Sequence, residues 1–195
     1  MPRSKEQFRI IREASKSKIL NSSLELFAQK GYSNTSISDI AKSAGISKGL
    51  AYNYFKNKET LMEEVIKLLF IEIGSMFTAV NTVKDPFEKL HKMIDLTFSI
   101  IEEKEYFWRL YSNVLLQPET KSIVEKISSN FMNDFFRELE QIFRKAKVKN
   151  AALEAKLFGA ILDGISFHVL FLGNKYPIAK TKQFLKKKYS RENLL

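Results

Sequence analysis

The stretch over residues 36–61, SISDIAKSAGISKGLAYNYFKNKETL, constrains the fold more than any other part of the chain. Ile37, Ile40, Ala41 and Ala44 recur at helical spacing on one face. Gly45 follows, a residue that takes the left-handed backbone ending a helix. Ile46 fills the corner, and the Ser47 hydroxyl is placed to cap a second helix. That second helix carries Lys48, Tyr52, Asn53 and Tyr54, which make poor core material. They make a suitable probe for the edges of bases in a DNA major groove. The pattern predicts two short helices joined by a tight turn, with a longer third helix starting near Lys58.

Composition agrees with an all-α chain. There are only 7 Gly and 4 Pro in 195 residues, and 45% of the residues are hydrophobic, enough for a substantial core. The absence of cysteine excludes disulfides and thiolate catalysis, and 2 histidines leave little for a zinc site, so no metal and no cofactor is expected. The net charge of +10 is unevenly distributed: residues 1–59 carry +6, residues 60–148 carry −2 and residues 149–195 carry +6. A basic segment that also holds the candidate recognition helix is an electrostatic footprint for phosphate.

Residues 1–18 are charged throughout and lack the apolar run of a secretory signal, which fits a cytoplasmic protein. Residues 157–174 hold a single charge, Asp163, and sit at the lower edge of membrane-spanning length. A carboxylate near the centre costs about 3 kcal/mol on an insertion scale. A helix buried on two sides of a soluble protein is the expected reading, with no membrane partner.

Nine helices are predicted from periodicity and punctuation. They cover residues 14–30, 37–44, 48–54, 58–80, 86–103, 104–117, 118–147, 151–173 and 178–188, with a loose tail beyond. Residues 1–13, with Arg3, Lys5, Arg9 and Arg12 among Phe8, Ile10 and Ile11, read as an extension of the first helix, as a frayed arm that touches DNA, or as a solvated tail. The fourth helix carries Leu61, Val65, Leu68, Leu69, Ile73, Met76 and Phe77 on one broad stripe. It would tie an N-terminal head to the rest mechanically. Asp85 followed by Pro86 marks the start of the fifth helix.

The run Ile40-Ala41, Ala44-Gly45-Ile46-Ser47-Lys48-Gly49, Tyr52, Tyr54-Phe55, Lys58-Glu59 and Leu61 resembles the helix-turn-helix of the TetR family of bacterial transcriptional regulators. The upstream residues 24–32 resemble the end of that family's first helix. The resemblance implies a nine-helix TetR-like architecture. A three-helix DNA-binding head over residues 1–57 would be joined by a long helix to a ligand-binding and dimerisation domain over 58–195. It further implies that Ser47, Lys48, Gly49, Leu50, Tyr52, Asn53 and Tyr54 supply base and phosphate contacts. Tyr54 and Lys58 would touch phosphate, and Thr35 and Ser36 would form a second clamp on the backbone. Leu50 and Ala51 depart from the common pattern, so Leu50 either meets a thymine methyl or packs inside.

The remaining length calls for a second task, and in this family it makes a homodimer and holds a small ligand. The eighth helix supports a dimer through helices 8 and 9, because it is apolar nearly all round. The pairs Ala155/Gly159 and Ala160/Gly164 would permit close approach there. Phe107, Trp108, Tyr111 and Asn113, Phe131 and Phe135, and Asp163 and Phe167 are candidates to line a cavity for a partly apolar effector. No nucleophile–base pair, metal spacing or phosphate loop is visible, so a non-enzyme is expected. The leading expectation is a dimeric repressor of a near-palindromic, double-stranded operator, released by a small molecule and associated with the nucleoid when bound. The competing readings are a helical carrier or enzyme with only non-specific DNA affinity, and an architectural DNA binder without ligand control.

Overall fold

In the computed structural model the chain is all-α, with α1 (Lys5–Lys30), α2 (Ile37–Ser43), α3 (Lys48–Tyr54), α4 (Lys58–Val80), α5 (Pro86–Glu103), α6 (Glu105–Leu115), α7 (Lys121–Lys145), α8 (Ala151–Leu172), α9 (Ile178–Lys188) and α10 (Arg191–Leu194). The structure describes residues 4–195, and only the backbone of Met76 and Phe77. Arg3 of the basic arm and the side chains of Met76 and Phe77 on the predicted stripe therefore lie outside the described residues.

Most helix boundaries follow the sequence signals, and the departures have physical causes. The first helix begins at Lys5 rather than residue 14, because Ser4 and Gln7 form a reciprocal capping box. The predicted seventh helix is split: Pro118–Thr120 is a 3-10 turn, and α7 begins at Lys121. The eighth ends at Leu172, and the sixth is trimmed to Glu105–Leu115. The expected loose tail contains the short α10, which raises the helix count among the described residues from nine to ten.

The residues fall into two compact units. One comprises the chain up to Leu69 together with Leu110–Ile127; the other comprises Phe70–Arg109 and Ser128–Leu195. The first unit has Ile19, Leu20, Leu24 and Phe27 of α1, Ile40 of α2, Phe55, and Leu61, Met62, Val65 and Ile66 of α4 in its interior. A smaller cluster of Ile37, Ala41 and Ala51, with Ile46 against it, joins α2 to α3. Burying such side chains contributes roughly 1.5–3 kcal/mol each for the larger aliphatic and aromatic ones.

The second unit is built around Leu90, Met93, Ile94 and Phe98 of α5, Leu139 and Phe143 of α7, Phe158 and Leu162 of α8, and Leu185 and Tyr189. Phe143, Phe158 and Tyr189 meet edge to face, with centroids 5.9, 6.1 and 4.7 Å apart pairwise. Burial pushes the Tyr189 phenol up to about 12. At Asp95, burial acts to raise the carboxyl, but hydrogen bonds from Lys186 and Lys182 outweigh it and hold the group below the usual range.

Among the described residues, α8 together with the turn to Lys175 is the one segment long and apolar enough to cross a membrane. The expected burial on two sides is met on one side only within a single chain. Ala155, Phe158, Gly159, Leu162, Ile165 and Val169 face the core. Leu153, Leu157, Phe167 and Phe171 are exposed, Phe171 by 79%. The two pairs of small residues separate accordingly. Ala155 and Gly159 pack inward, and a Cβ on Gly159 would stand 3.1 Å from the Phe136 ring. Ala160 and Gly164 lie on the open side.

Candidate nucleic-acid interface

The turn between α2 and α3 is fixed by local chemistry. Ser36 caps α2 by accepting the Asp39 N–H, while the Asp39 carboxylate accepts the Ser36 N–H and hydroxyl. The Ser36 hydroxyl and N–H together hold the Asp39 carboxyl below its ordinary range. Gly45 sits at φ +68°, where an L side chain would be strained. The Ser47 side chain accepts the Leu50 N–H and starts α3.

Of α3, only Ala51 is buried; Lys48, Gly49, Leu50, Tyr52 and Asn53 are exposed together. Of the two alternatives for Leu50, packing inside is thereby excluded. Ala51 packs on Ile37 and Ala41, and Leu50 points outward. A Cβ on Gly49 would meet nothing within 4 Å, so another backbone could approach there. Phe55 closes the core behind the helix.

A concave surface of about 450 Å³ lies beside α3, lined by Ser33, Asn34, Ser36, Tyr52, Lys56 and Lys58 among others. Asn57 accepts the Thr60 N–H and so caps the first turn of α4. The Lys58 ammonium donates to the carbonyls of Tyr32 (2.8 Å) and Ser33 (3.3 Å) and stands 4.4 Å from the Tyr32 ring centre. Two of its three N–H groups thus order the loop before α2 while its charge stays at the cleft.

Thr35 departs from the expected backbone clamp. It is buried, and its hydroxyl donates to the carbonyls of Gly31 (2.9 Å) and Leu26 (3.2 Å). Thr35 therefore holds the end of α1 rather than offering its hydroxyl outward.

Two contributors have no counterpart in the sequence analysis, and Arg12 of the basic arm has a partner at the end of α3. The Arg12 guanidinium lies 5.4 Å from the centre of the Tyr54 ring. Gln117 fastens the segment after α6 to the α1–α2 loop by accepting from Tyr32 N–H and donating to Phe27 and Asn113 carbonyls. Lys126 pairs with Glu63 of α4 at 2.6 Å. Only the first two turns of basic residues before Arg12 carried a signal, as charge; a lone glutamine has none.

The candidate effector residues divide between the two units, with Tyr111 and Asn113 in the first and the others in the second. Tyr111 is fully buried, with its hydroxyl donating to the Val65 carbonyl, which makes it part of the first unit's interior. Asn113 is exposed. Asp163 and Phe167 lie on the exposed side of α8, and desolvation raises the Asp163 carboxyl above its ordinary range. Phe131 and Phe135 do come together in the second unit. They form a half-buried ladder with Phe70 and Phe136, at successive centroid distances of 4.7, 6.3 and 5.2 Å. Phe107 and Trp108 meet edge to face, and the buried indole N–H of Trp108 has no acceptor.

A capped polar helix, set by a glycine turn onto a second helix and flanked by a basic cleft, is a helix-turn-helix. Residues 19–65 match the family model described as "Bacterial regulatory proteins, tetR family". The helix-turn-helix segment is thus of the type found in this family. It is 34% identical over 90 residues to the uncharacterized HTH-type transcriptional regulator YuxN of Bacillus subtilis, covering 45% of this chain and 31% of YuxN. It is 29% identical over 126 residues to the HTH-type transcriptional repressor KstR2 of Mycolicibacterium smegmatis, covering 64% of this chain and 59% of that one. The matches thus span less than two thirds of either relative. The fold is similar to that of the transcriptional regulator FadR from Bacillus subtilis, solved in complex with stearoyl-CoA: the TM-score is 0.72 at 22% identity, over 89% of this chain and 96% of FadR.

Proposed function

We propose that the protein is a ligand-responsive transcriptional repressor that binds a near-palindromic operator as a homodimer and leaves it when a small molecule binds. The observation that carries this reading is α3 itself, a short capped helix with every side chain but Ala51 and the partly covered Tyr54 turned out beside a basic cleft. Residues 1–57 would bind DNA, and residues 58–195 would bind the effector and the second subunit. Lys48, Asn53 and Tyr52 would read bases, while Ser36, Tyr54 and Lys58 would hold phosphate.

Dimerisation through α8 and α9 is supported by the open apolar face of α8, which includes Leu157, Phe167 and Phe171, and by Phe184 of α9, which is 70% exposed. A twofold axis would cover this face with its own copy. A partly apolar effector is supported by the aromatic ladder of α7 and by the Trp108 indole, a buried donor lacking an acceptor. Leaving such a donor unsatisfied costs about 1–3 kcal/mol, which an acceptor on a ligand would recover. The effector must bind the DNA-free state more tightly than the DNA-competent state, since equal affinity shifts nothing. Long-chain acyl-CoA is the first probe, by analogy with the FadR complex.

The test is a footprint on DNA flanking the protein's own gene, followed by titration of the protected duplex with and without stearoyl-CoA. Sequence-preferring protection that Lys48→Glu with Lys58→Glu abolishes is expected. Protection without sequence preference, or unaffected by that double change, would overturn the reading.

A further inference from the structure

A second basic surface lies outside the helix-turn-helix. Lys5, Arg9, Arg12 and Lys16 follow one another on α1 at spacings of four, three and four, which puts them on one stripe. The same series continues through Leu20, Ser23 and Phe27, all buried. The face that is core in the second half of α1 is therefore basic in its first half. The capping box of Ser4 and Gln7 fixes the helix start, so this half is ordered helix and not a frayed tail.

Two contacts set the direction of the stripe. The Lys16 ammonium pairs with Glu64 of α4 at 3.0 Å, and the Arg12 guanidinium lies over the Tyr54 ring at the end of α3. Lys5 lies a further seven residues out, about 10 Å along the axis. Lys5 and Arg9 are exposed, and the Arg9–Glu6 pair is an exposed ion pair that a phosphate could displace. Phe8, Ile10 and Ile11 are exposed too; Ile10 and Ile11 fall on other sides of the helix, while Phe8 borders the stripe, three residues from Lys5 and four from Arg12. The Arg12 end of the stripe lies beside the C-terminal end of α3.

We propose that Lys5, Arg9 and Arg12 form an accessory phosphate-binding site that engages the DNA backbone flanking the bases faced by α3. This rests on the reading of α3 as a DNA-contacting helix. The site adds affinity and salt dependence without adding sequence preference, because phosphate contacts carry no base information.

The experiment uses the full chain and two labelled duplexes carrying the footprinted sequence, one trimmed to the protected core and one extended by a helical turn on each side. Wild type, Lys5→Gln/Arg9→Gln and the charge-keeping Lys5→Arg/Arg9→Lys are titrated at several salt concentrations. On the extended duplex the Gln variant is expected to bind more weakly, with the slope of log affinity against log salt reduced by about 0.9 for each phosphate that is no longer neutralised. On the core duplex it should match wild type, and the charge-keeping variant should match wild type on both. Unchanged melting of the Gln variant checks that the fold is intact.

Equal slopes on the extended duplex, or equal losses on both lengths, would overturn the proposal. So would unchanged DNA binding together with loss of binding to phosphatidylserine vesicles, which would make the stripe a lipid site. A random-sequence duplex separates this inference from the reading it rests on. A wild type with no sequence preference would sink the regulator reading, while the slope difference on that duplex still decides the stripe.

Discussion

The side-chain oxygen of Gln117 accepts the backbone N–H of Tyr32 at 2.7 Å, across 85 residues of sequence. The amide nitrogen of the same side chain donates to the carbonyl of Phe27 at 2.8 Å. One glutamine therefore satisfies both polarities at the place where α1 ends and the helix-turn-helix begins. Gly31 takes φ +84° there, and its N–H closes the last turn of α1 on Phe27.

Gln117→Ala is expected to destabilise the protein by about 1–2 kcal/mol, the net worth of one to two hydrogen bonds with partly buried partners. Gln117→Glu keeps the acceptor for Tyr32 but turns a carboxylate oxygen toward the Phe27 and Asn113 carbonyls, so near neutral pH it should destabilise at least as much as alanine. Amide hydrogen exchange at Tyr32 is the specific readout. Protection at Tyr32 that survives in the alanine variant would sink the assignment.

Thr35 and Lys48 separate folding from DNA contact. The Thr35 hydroxyl is buried on two backbone carbonyls, so Thr35→Val should lower stability by about 1–2 kcal/mol and leave the salt dependence of DNA binding unchanged. Lys48 is exposed with the rest of the outward side of α3, so Lys48→Ala should leave the melting curve unchanged. It should weaken DNA binding and, where it touches phosphate, flatten the salt slope by about 0.9. Thermal melts and anisotropy titrations on both variants check the crossing pattern.

The helix-turn-helix was legible because its signals are local. Ser47, Gly45 and the alternation of inward alanine with outward polar residues all act within a few positions of each other. Asp85 before Pro86 gave α5 for the same reason, and the structure has Asp85 accepting from the Phe87 and Glu88 N–H groups. The start of α1 was ambiguous because residues 5–13 bury nothing, so no periodic core stripe marks them. Only the pairing of Ser4 with Gln7 announces the helix.

What the sequence could not convey is which neighbour a periodic face meets. Ala155/Gly159 and Ala160/Gly164 look alike as patterns, yet one pair meets Phe136 and the other is open. Tyr111 and Trp108 likewise share the aromatic character expected of a pocket. The first instead donates its hydroxyl to a backbone carbonyl of α4, and the second keeps an unsatisfied N–H. Gln117 bonds to residues remote in sequence, and its identity alone predicts none of them.

Those two glycines provide a prediction of their own. At Gly159 even a Cβ would crowd Phe136 at 3.1 Å, so Gly159→Leu should destabilise the subunit by about 1–3 kcal/mol through overpacking. At Gly164 nothing lies within 4 Å, and leucine is the better helix former by roughly 0.5–1 kcal/mol. Gly164→Leu should therefore preserve the fold of the single chain. If α8 meets its own copy as proposed, the added side chain should weaken the dimer in sedimentation, whereas an unchanged dimer would move the interface elsewhere.

Asp163 gives the pH dependence of the same face. Partial desolvation raises its carboxyl above the ordinary range even though the residue is exposed in the single chain, and a second copy packed over α8 would desolvate it further. A raised carboxyl favours the associated, folded form while protonated. Its contribution is fully present below the ordinary carboxylate pKa and is lost as pH rises through the raised value. The proposed dimer should accordingly tighten on mild acidification from neutral pH. Asp163→Asn removes the charge without changing the shape, so it should associate at neutral pH as tightly as wild type does in acid, and its association should lose that part of the pH dependence. Sedimentation equilibrium of both proteins from pH 7.5 to about 5 checks this over the window set by a raised carboxylate. Wild-type association that weakens on acidification, with the asparagine variant following it, would show that Asp163 remains in water.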